Sequence, residues 1–289
     1  MPVEPPIETP SSLVEAFELL ATSTPDRVLT PIAGGTDVMV RITGEIGDPP
    51  TRLVDLSRIA ELSGIDVDGA ALVLGARTTY TEIRRSDACR EHVPALVEAA
   101  ATIGAAQIQN RGTIGGNVAN ASPAGDTLPV LLALDADFDV GGPRGERTIP
   151  ASAFWVAYRR TALAADELIL RIRIPIRGGR EARFRKIGTR RAQAISKVVM
   201  ALAWTEPRAG DGWSEVRVAL GSVAATPVRA RATEATLEGR RPTPETADRA
   251  AEALAAEVEP IDDVRSTAAY RRAVAARVLH RMIRDAAGW

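Results

Sequence analysis

Two stretches of the chain gather small and hydrogen-bonding residues: AGGTD at Ala33–Asp37 and TIGGNVANASPAGD at Thr113–Asp126. Glycine permits positive φ and lets a ligand approach the main chain closely. Consecutive exposed N–H groups form a concavity suited to anions, and a helix N-terminus adds a favourable dipole. Small polar side chains add hydrogen bonds without closing access. Each stretch follows an apolar segment and the second runs into a helical pattern, so the pair can hold the two phosphates of a dinucleotide. AGGTD alone reads as a tight turn, because Gly-Gly turns are common; the fourteen residues of the second stretch, joined to a helix, read as a ligand site. Neither stretch fits GxGxxG, and no GxxxxGK[ST] occurs, so Rossmann and P-loop chemistry are disfavoured. The residues by themselves lead to a nucleotide-like ligand bound by backbone.

The rest of the composition narrows the classes. The 289 residues suffice for two or three domains; 45% are hydrophobic and 25% charged, and the net charge is −1. Bulk electrostatics gives no sign of a nucleic-acid partner, and no apolar run is long enough for a membrane span. The opening MPVEPPIETPSS lacks the basic flank and apolar stretch of a secretion signal, which leads to a cytoplasmic expectation. One cysteine, Cys89, and two distant histidines, His92 and His280, do not make a metal site of familiar spacing, so no metal is expected on this chain. Of the 36 basic residues only Lys186 and Lys197 are lysines. Either they mark places where arginine does not fit, or they are accidents.

Elements that must position the two stretches follow from the patterning. Ser12 and Glu15 predict a capped helix, RVLTPIA and TRLVDLS predict strands, and IDVDGAALVLGA predicts a hairpin turning at Asp68-Gly69. A long helical pattern starting at Tyr80 is interrupted near Pro94. DTLPVLLALDA predicts a short helix capped by Asp126, with Pro129 in its first turn. LILRIRIP predicts a strand ending at Pro175. RGGRE, from Arg177, has the composition of a linker. Beyond it, RFRKIGT, KVVMALAWTE and EVRVALGSVA predict strands, with a turn at PRAGDG, and two helices close the chain. Strands followed by helices predict a separate α+β domain.

The segments PIAGGTDVMV and NRGTIGGNVANASPAGDTLPVLLALDA resemble the FAD-binding subunits of the molybdenum hydroxylases, which include the medium subunit of carbon monoxide dehydrogenase and the flavin domain of xanthine dehydrogenase. SLVEAFELL, RKIGTRRAQAISKVVMALA and VEPIDDVRSTAAYRRAVAARVLHRMI are similar to that family in the same order, so the resemblance covers nearly the whole chain. It implies an α+β fold: a two-subdomain FAD-binding fold of the vanillyl-alcohol oxidase type over 1–177, with subdomains about 1–58 and 59–177, followed by a small α+β C-terminal domain over 178–289.

It also implies roles. The backbone of Ala33, Gly34, Gly35, Thr36 and Asp37 would cradle the pyrophosphate of non-covalent FAD, faced by Thr113, Gly116 and Asn117, with Gly115 needed for a turn. Asn120 and Asp126 would make polar contacts to ribityl, ribose or phosphate, Ile103 and Gly104 would pack the adenine or ribose end, and Ile169 would touch the flavin. Lys186 would stand near the isoalloxazine ring, favouring an anionic reduced flavin; Lys197 would be structural. Gln109 stands where many relatives have arginine, and its contact, within the chain or between subunits, is left open. The implied function is electron transfer, with hydroxylation on a molybdenum-containing large subunit. Electrons would pass through a [2Fe–2S] small subunit to FAD here, then to a small-molecule acceptor such as NAD+, a quinone or oxygen. No catalytic acid or base is expected. The rival is a stand-alone flavoenzyme using Arg190, Arg191 or Tyr158 over the flavin. A scaffold that has lost its cofactor is disfavoured by the intact GGTD and GGN.

Overall fold

A computed structural model describes residues 5–24, 26–44, 47–190, 192–206 and 212–289. Down the chain, β1 (Ile7–Glu8), α1 (Leu13–Ala21), β2 (Leu29–Ile32), α2 (Thr36–Ile42) and β3 (Arg52–Asp55) form a first unit. Its strands are parallel in the order β1-β3-β2. Ser12 caps α1 through Glu15 N as expected, while the Glu15 carboxylate takes the Ser11 N–H. The helix α2 was not foreseen, because AGGTD reads as a turn with nothing helical after it.

The second unit begins with the hairpin of β4 (Ile65–Asp68) and β5 (Ala71–Gly75), whose register pairs Asp68 with Ala71. The loop is therefore Gly69-Ala70, one place later than expected, with Gly69 supplying a φ of 59°. The helical run breaks twice, into α3 (Tyr80–Arg85), α4 (Asp87–His92) and α5 (Pro94–Ala101). Besides the expected break before Pro94, an earlier one falls at Ser86, whose hydroxyl caps α4 through Cys89 N. Then come α6 (Ala106–Gln109), α7 (Ile114–Asn120), α8 (Leu128–Ala133), β6 (Asp137–Gly142), β7 (Gly145–Pro150), α9 (Ala151–Phe154), β8 (Trp155–Ala157), β9 (Arg160–Thr161) and β10 (Leu168–Pro175). An antiparallel sheet runs β4-β5-β10-β6-β7.

The third unit comprises β11 (Arg180–Ile187), β12 (Val198–Thr205), β13 (Ser214–Gly221), β14 (Val228–Arg229), α10 (Arg231–Leu237), α11 (Pro244–Glu257) and α12 (Ala268–Ala287). β11 starts inside the segment read as a linker, because Arg180 already pairs with Thr205. Of the expected PRAGDG turn, residues 207–211 lie outside the described residues.

The strand β12 explains how the third unit is fastened. Its alternate residues Val199, Ala201 and Ala203 belong to the core shared with the first two units, while Val198, Met200, Leu202 and Trp204 face the C-terminal helices. A strand buried on both faces reads as the continuous apolar run VVMALAW. The small residues let the wholly buried α8 settle against β12 and β13. Beside it the Asp135 carboxylate accepts from Arg177 at 3.0 Å, Arg217 at 3.1 Å and Arg229 at 3.2 Å.

Candidate functional site

The second glycine stretch is not the loop that its composition suggests. It folds as α7 even though each glycine costs about 0.5–1 kcal/mol in a helix interior. Tertiary contacts decide the matter. Thr113 caps the helix through Gly116 N at 3.1 Å, and the Ile114 and Gly115 N–H groups each donate at 2.9 Å, to Thr78 O and Ala76 O. Gly115 is therefore needed for close packing, not for a turn: a Cβ there would stand 2.6 Å from both Ala76 O and Ala76 Cβ.

α2 offers what α7 does not. Gly35 opens it in a left-handed conformation with φ 75° and no side-chain cap. Among the described residues, the backbone N–H groups from Gly34 to Val38 have no hydrogen-bond acceptor. Five successive bare donors at a helix N-terminus make an anion cradle. They border a cleft of about 460 Å³, lined also by Thr113, Gly116, Asn117, Asn120, Tyr80, Arg41 and Arg159. Asn117 Oδ1 accepts from Thr127 Oγ1 at 2.6 Å, which leaves its NH2 group free. Arg159 donates to Asn120 Oδ1 at 3.0 Å, and Asn120 donates to Asp37 Oδ1 at 2.9 Å. Burial pushes the Asp37 carboxyl above its ordinary range, against the Arg159 charge and the Asn120 amide. The bare donors at the N-terminus of α2 and the guanidinium groups of Arg41 and Arg159 fit a pyrophosphate-bearing ligand.

Asp126 does not cap α8. Thr127 takes the N-cap position without a side-chain bond, and Asp126 instead enters a buried cluster. Its carboxylate meets Lys186 Nζ at 2.5 Å, Ser196 Oγ at 2.5 Å and Thr102 Oγ1 at 3.1 Å. Lys186 also donates to Thr102 O at 3.0 Å. Burial raises the Asp126 pKa against the Lys186 charge and the hydrogen bonds from Lys186, Ser196 and Thr102. The C-terminal unit closes on the same turn: Ser222, at φ 64°, donates its N–H to Pro123 O at 2.7 Å and its hydroxyl to Ser196 O at 2.8 Å.

The expected site residues therefore fall into separate groups. Gly34, Gly35, Thr36, Asp37, Thr113, Gly116, Asn117 and Asn120 line the cleft, with Ala33 leading into it and Gly115 behind it. Asp126 and Lys186 make the buried cluster, which holds Thr102 in the loop carrying Ile103 and Gly104. Gln109 Nε2 donates to Ile103 O at 2.9 Å, and Gln193 N to Gly104 O at 3.2 Å. Gln109 thus makes its contacts within the chain, accepting from Arg84 as well. Ile169 is buried in β10 against β6, away from the cleft lining. Arg190 spends its guanidinium on Ala192 O and Gln193 O, Tyr158 is exposed, and Arg191 lies outside the described residues. Lys197 stands over the Tyr270 ring at 5.1 Å. Sequence reasoning missed Tyr80, Arg41 and Arg159 in the cleft, since none belongs to a glycine stretch.

Fold and cleft together define an α+β protein that offers an anion cradle to a nucleotide. Residues 3–177 match the family described as the FAD binding domain in molybdopterin dehydrogenase, and residues 183–286 match the CO dehydrogenase flavoprotein C-terminal domain. The chain belongs to the family of FAD-binding medium subunits of the molybdenum hydroxylases, which are oxidoreductases. It is 34% identical over 281 residues to the carbon monoxide dehydrogenase medium chain of Hydrogenophaga pseudoflava, covering 96% of this chain and 95% of that one. It is 30% identical over 266 residues to the xanthine dehydrogenase FAD-binding subunit of Escherichia coli O157:H7, covering 90% and 88%. Carbon monoxide dehydrogenase from Hydrogenophaga pseudoflava, solved without the Mo-pyranopterin moiety of its cofactor, superposes with a TM-score of 0.91 at 33% identity, covering 97% of this chain and 96% of that one. The expected α+β fold and FAD cofactor stand. No described helix is long and apolar enough to cross a membrane.

Proposed function

We propose that the chain is the electron-transfer flavoprotein of a multi-subunit molybdenum hydroxylase. It would receive electrons from a [2Fe–2S] partner subunit and pass them to a small-molecule acceptor of the NAD+, quinone or oxygen class. Substrate hydroxylation would belong to a separate molybdenum-containing large subunit. The observation that carries the reading is the run of bare N–H donors from Gly34 to Val38, opening on the cleft that α7 also borders. FAD, when bound, supplies the exchange between electrons delivered singly and electrons removed in pairs.

The chain's own residues bind and orient. The N–H groups of Gly34–Val38 take the phosphate oxygens, and Thr113 and Asn117 face them from α7. Arg159 offsets the charge gathered there. The Asp126–Lys186 pair fixes the Thr102–Gly104 loop, so that Ile103 is presented at a set position. Residues 1–177 form the FAD-binding part, divided near residue 58, and 178–289 the C-terminal domain. The stand-alone flavoenzyme has less support, because Arg190 is committed to its own turn. The test is a visible absorption spectrum of the purified chain after incubation with FAD and removal of the excess, repeated on the complex co-expressed with both partners. Flavin bands that stay with the protein support the reading; a colourless complex overturns it.

A further inference from the structure

Tyr80 is the one cleft-lining residue whose burial and hydrogen bonding do not agree. It is 3% exposed, and a buried tyrosine normally finds a partner for its hydroxyl. Among the described residues its O–H has none. The buried side-chain nitrogen and oxygen atoms without a partner are Arg52 Nε and Arg271 Nε. The Tyr80 oxygen is not one of them, so it keeps some accessible area, and the residue lines the cleft. The ring is held tightly: a Cβ on Gly112 would stand 2.8 Å from Tyr80 Cε2. The Tyr80 N–H bonds Gly112 O at 3.3 Å, immediately before the second glycine stretch. A fixed ring therefore points a spare hydroxyl into a polar cleft.

Electrostatics says what that hydroxyl can be. Burial first, and then the charges of Asp37 and Asp126, push the phenol far above its ordinary range. It stays protonated, a donor that adds no negative charge beside phosphates. The same influence places Tyr80 within electrostatic reach of both the cradle residue Asp37 and the cluster residue Asp126. No other cleft-lining residue is shown to sense both carboxyls.

We propose that Tyr80 is a cofactor-binding residue. Its hydroxyl donates to an oxygen of the bound dinucleotide, in the cleft that the Gly34–Val38 cradle borders. The inference rests on the FAD reading and adds a contact to it.

The experiment is equilibrium FAD binding to the full chain, or to the co-expressed complex where the chain alone releases FAD, comparing wild type with Tyr80→Phe. Phenylalanine keeps the ring packing and removes one oxygen. The expected result is about tenfold weaker binding, with the melting temperature of the FAD-free protein unchanged. Tyr270→Phe, on the C-terminal helix, serves as the control and should bind as wild type does. ADP is the second probe: an equal loss places the contact at the pyrophosphate or adenosine, and a loss confined to FAD places it on the ribityl or flavin side. Equal FAD affinity in Tyr80→Phe and wild type overturns the inference and leaves the functional reading intact. Failure of the wild-type complex to bind FAD overturns the functional reading itself.

Discussion

Gly34 and Arg111 meet backbone to backbone. A Cβ on Gly34 would stand 1.9 Å from the Arg111 carbonyl oxygen and 2.7 Å from its carbon, neither of which belongs to a movable side chain. This contact fixes the distance between the cradle of α2 and the segment leading into α7.

Gly34→Ala must therefore part the two segments. The expected outcome is loss of FAD retention together with about 1–3 kcal/mol of stability, the usual scale of overpacking. Gly116→Ala is the contrast. Its Cβ would meet only the Thr113 hydroxyl, at 2.8 Å, so it should weaken binding with a smaller loss of stability. FAD titration and urea unfolding on both variants check the ordering.

Lys186→Met leaves the Asp126 carboxylate buried and without its charge partner. Breaking such a pair from one side costs about 3–5 kcal/mol. Removing both partners, Lys186→Met with Asp126→Leu, should recover much of that loss. Lys186→Arg should not behave as wild type, because the slot is 10% exposed and already filled by Asp126 and Thr102 O. Urea unfolding of wild type, Lys186→Met, Asp126→Leu and the double variant gives the cycle, with Lys186→Arg measured beside them.

FAD affinity should rise as pH falls from neutral. The Asp37 carboxyl titrates above its ordinary 3.8 because it is buried, and its protonation removes a negative charge from beside the phosphates. Asp37→Asn should flatten that dependence. FAD titrations from neutral pH down toward the ordinary carboxylate range compare the slopes, and an equally steep slope in the variant assigns the proton to another group.

Asp135 should contribute to acid unfolding at the junction of the units. Burial pushes its carboxyl up, but hydrogen bonds from Arg217 and Arg177 and the charges around it win, and the net shift is downward. A folded pKa below the unfolded value means stability that is fully present above the ordinary 3.8 and lost as pH falls through the folded value. Asp135→Asn should lower the melting temperature at neutral pH, and the gap from wild type should close in acid. Melting curves from about pH 2 to 7 read both effects.

Regular apolar patterning was legible in the sequence. LILRIRIP forms β10 from Leu168 to Pro175, and PETADRAAEALAAE forms α11 with Thr243 as its cap. The two glycine stretches read as loops, and both contain a helix start. Glycine propensity hid α7, because the groups that hold it, Thr78 O and Ala76 O, lie far away in sequence. Asp126 looked like a cap because caps are local, whereas its partners Lys186 and Ser196 come from the other end of the chain. Tyr80 and Arg159 carry no local signal; only the folding of α3 and of the β8–β9 hairpin beside the cleft gives them a place. The arginine-rich composition left Lys186 open between a special place and an accident; its ammonium stands between the Asp126 carboxylate and the Thr102 carbonyl.

The covering of Leu128–Ala133 by β12 and β13 bears on how the protein is made. A ribosome delivers this wholly apolar helix well before it delivers the strands that cover it. In that interval the nascent chain shows the face that β12 and β13 will cover, the situation in which holdase chaperones engage emerging polypeptides. That exposure ends only when Val199, Ala201 and Ala203 arrive.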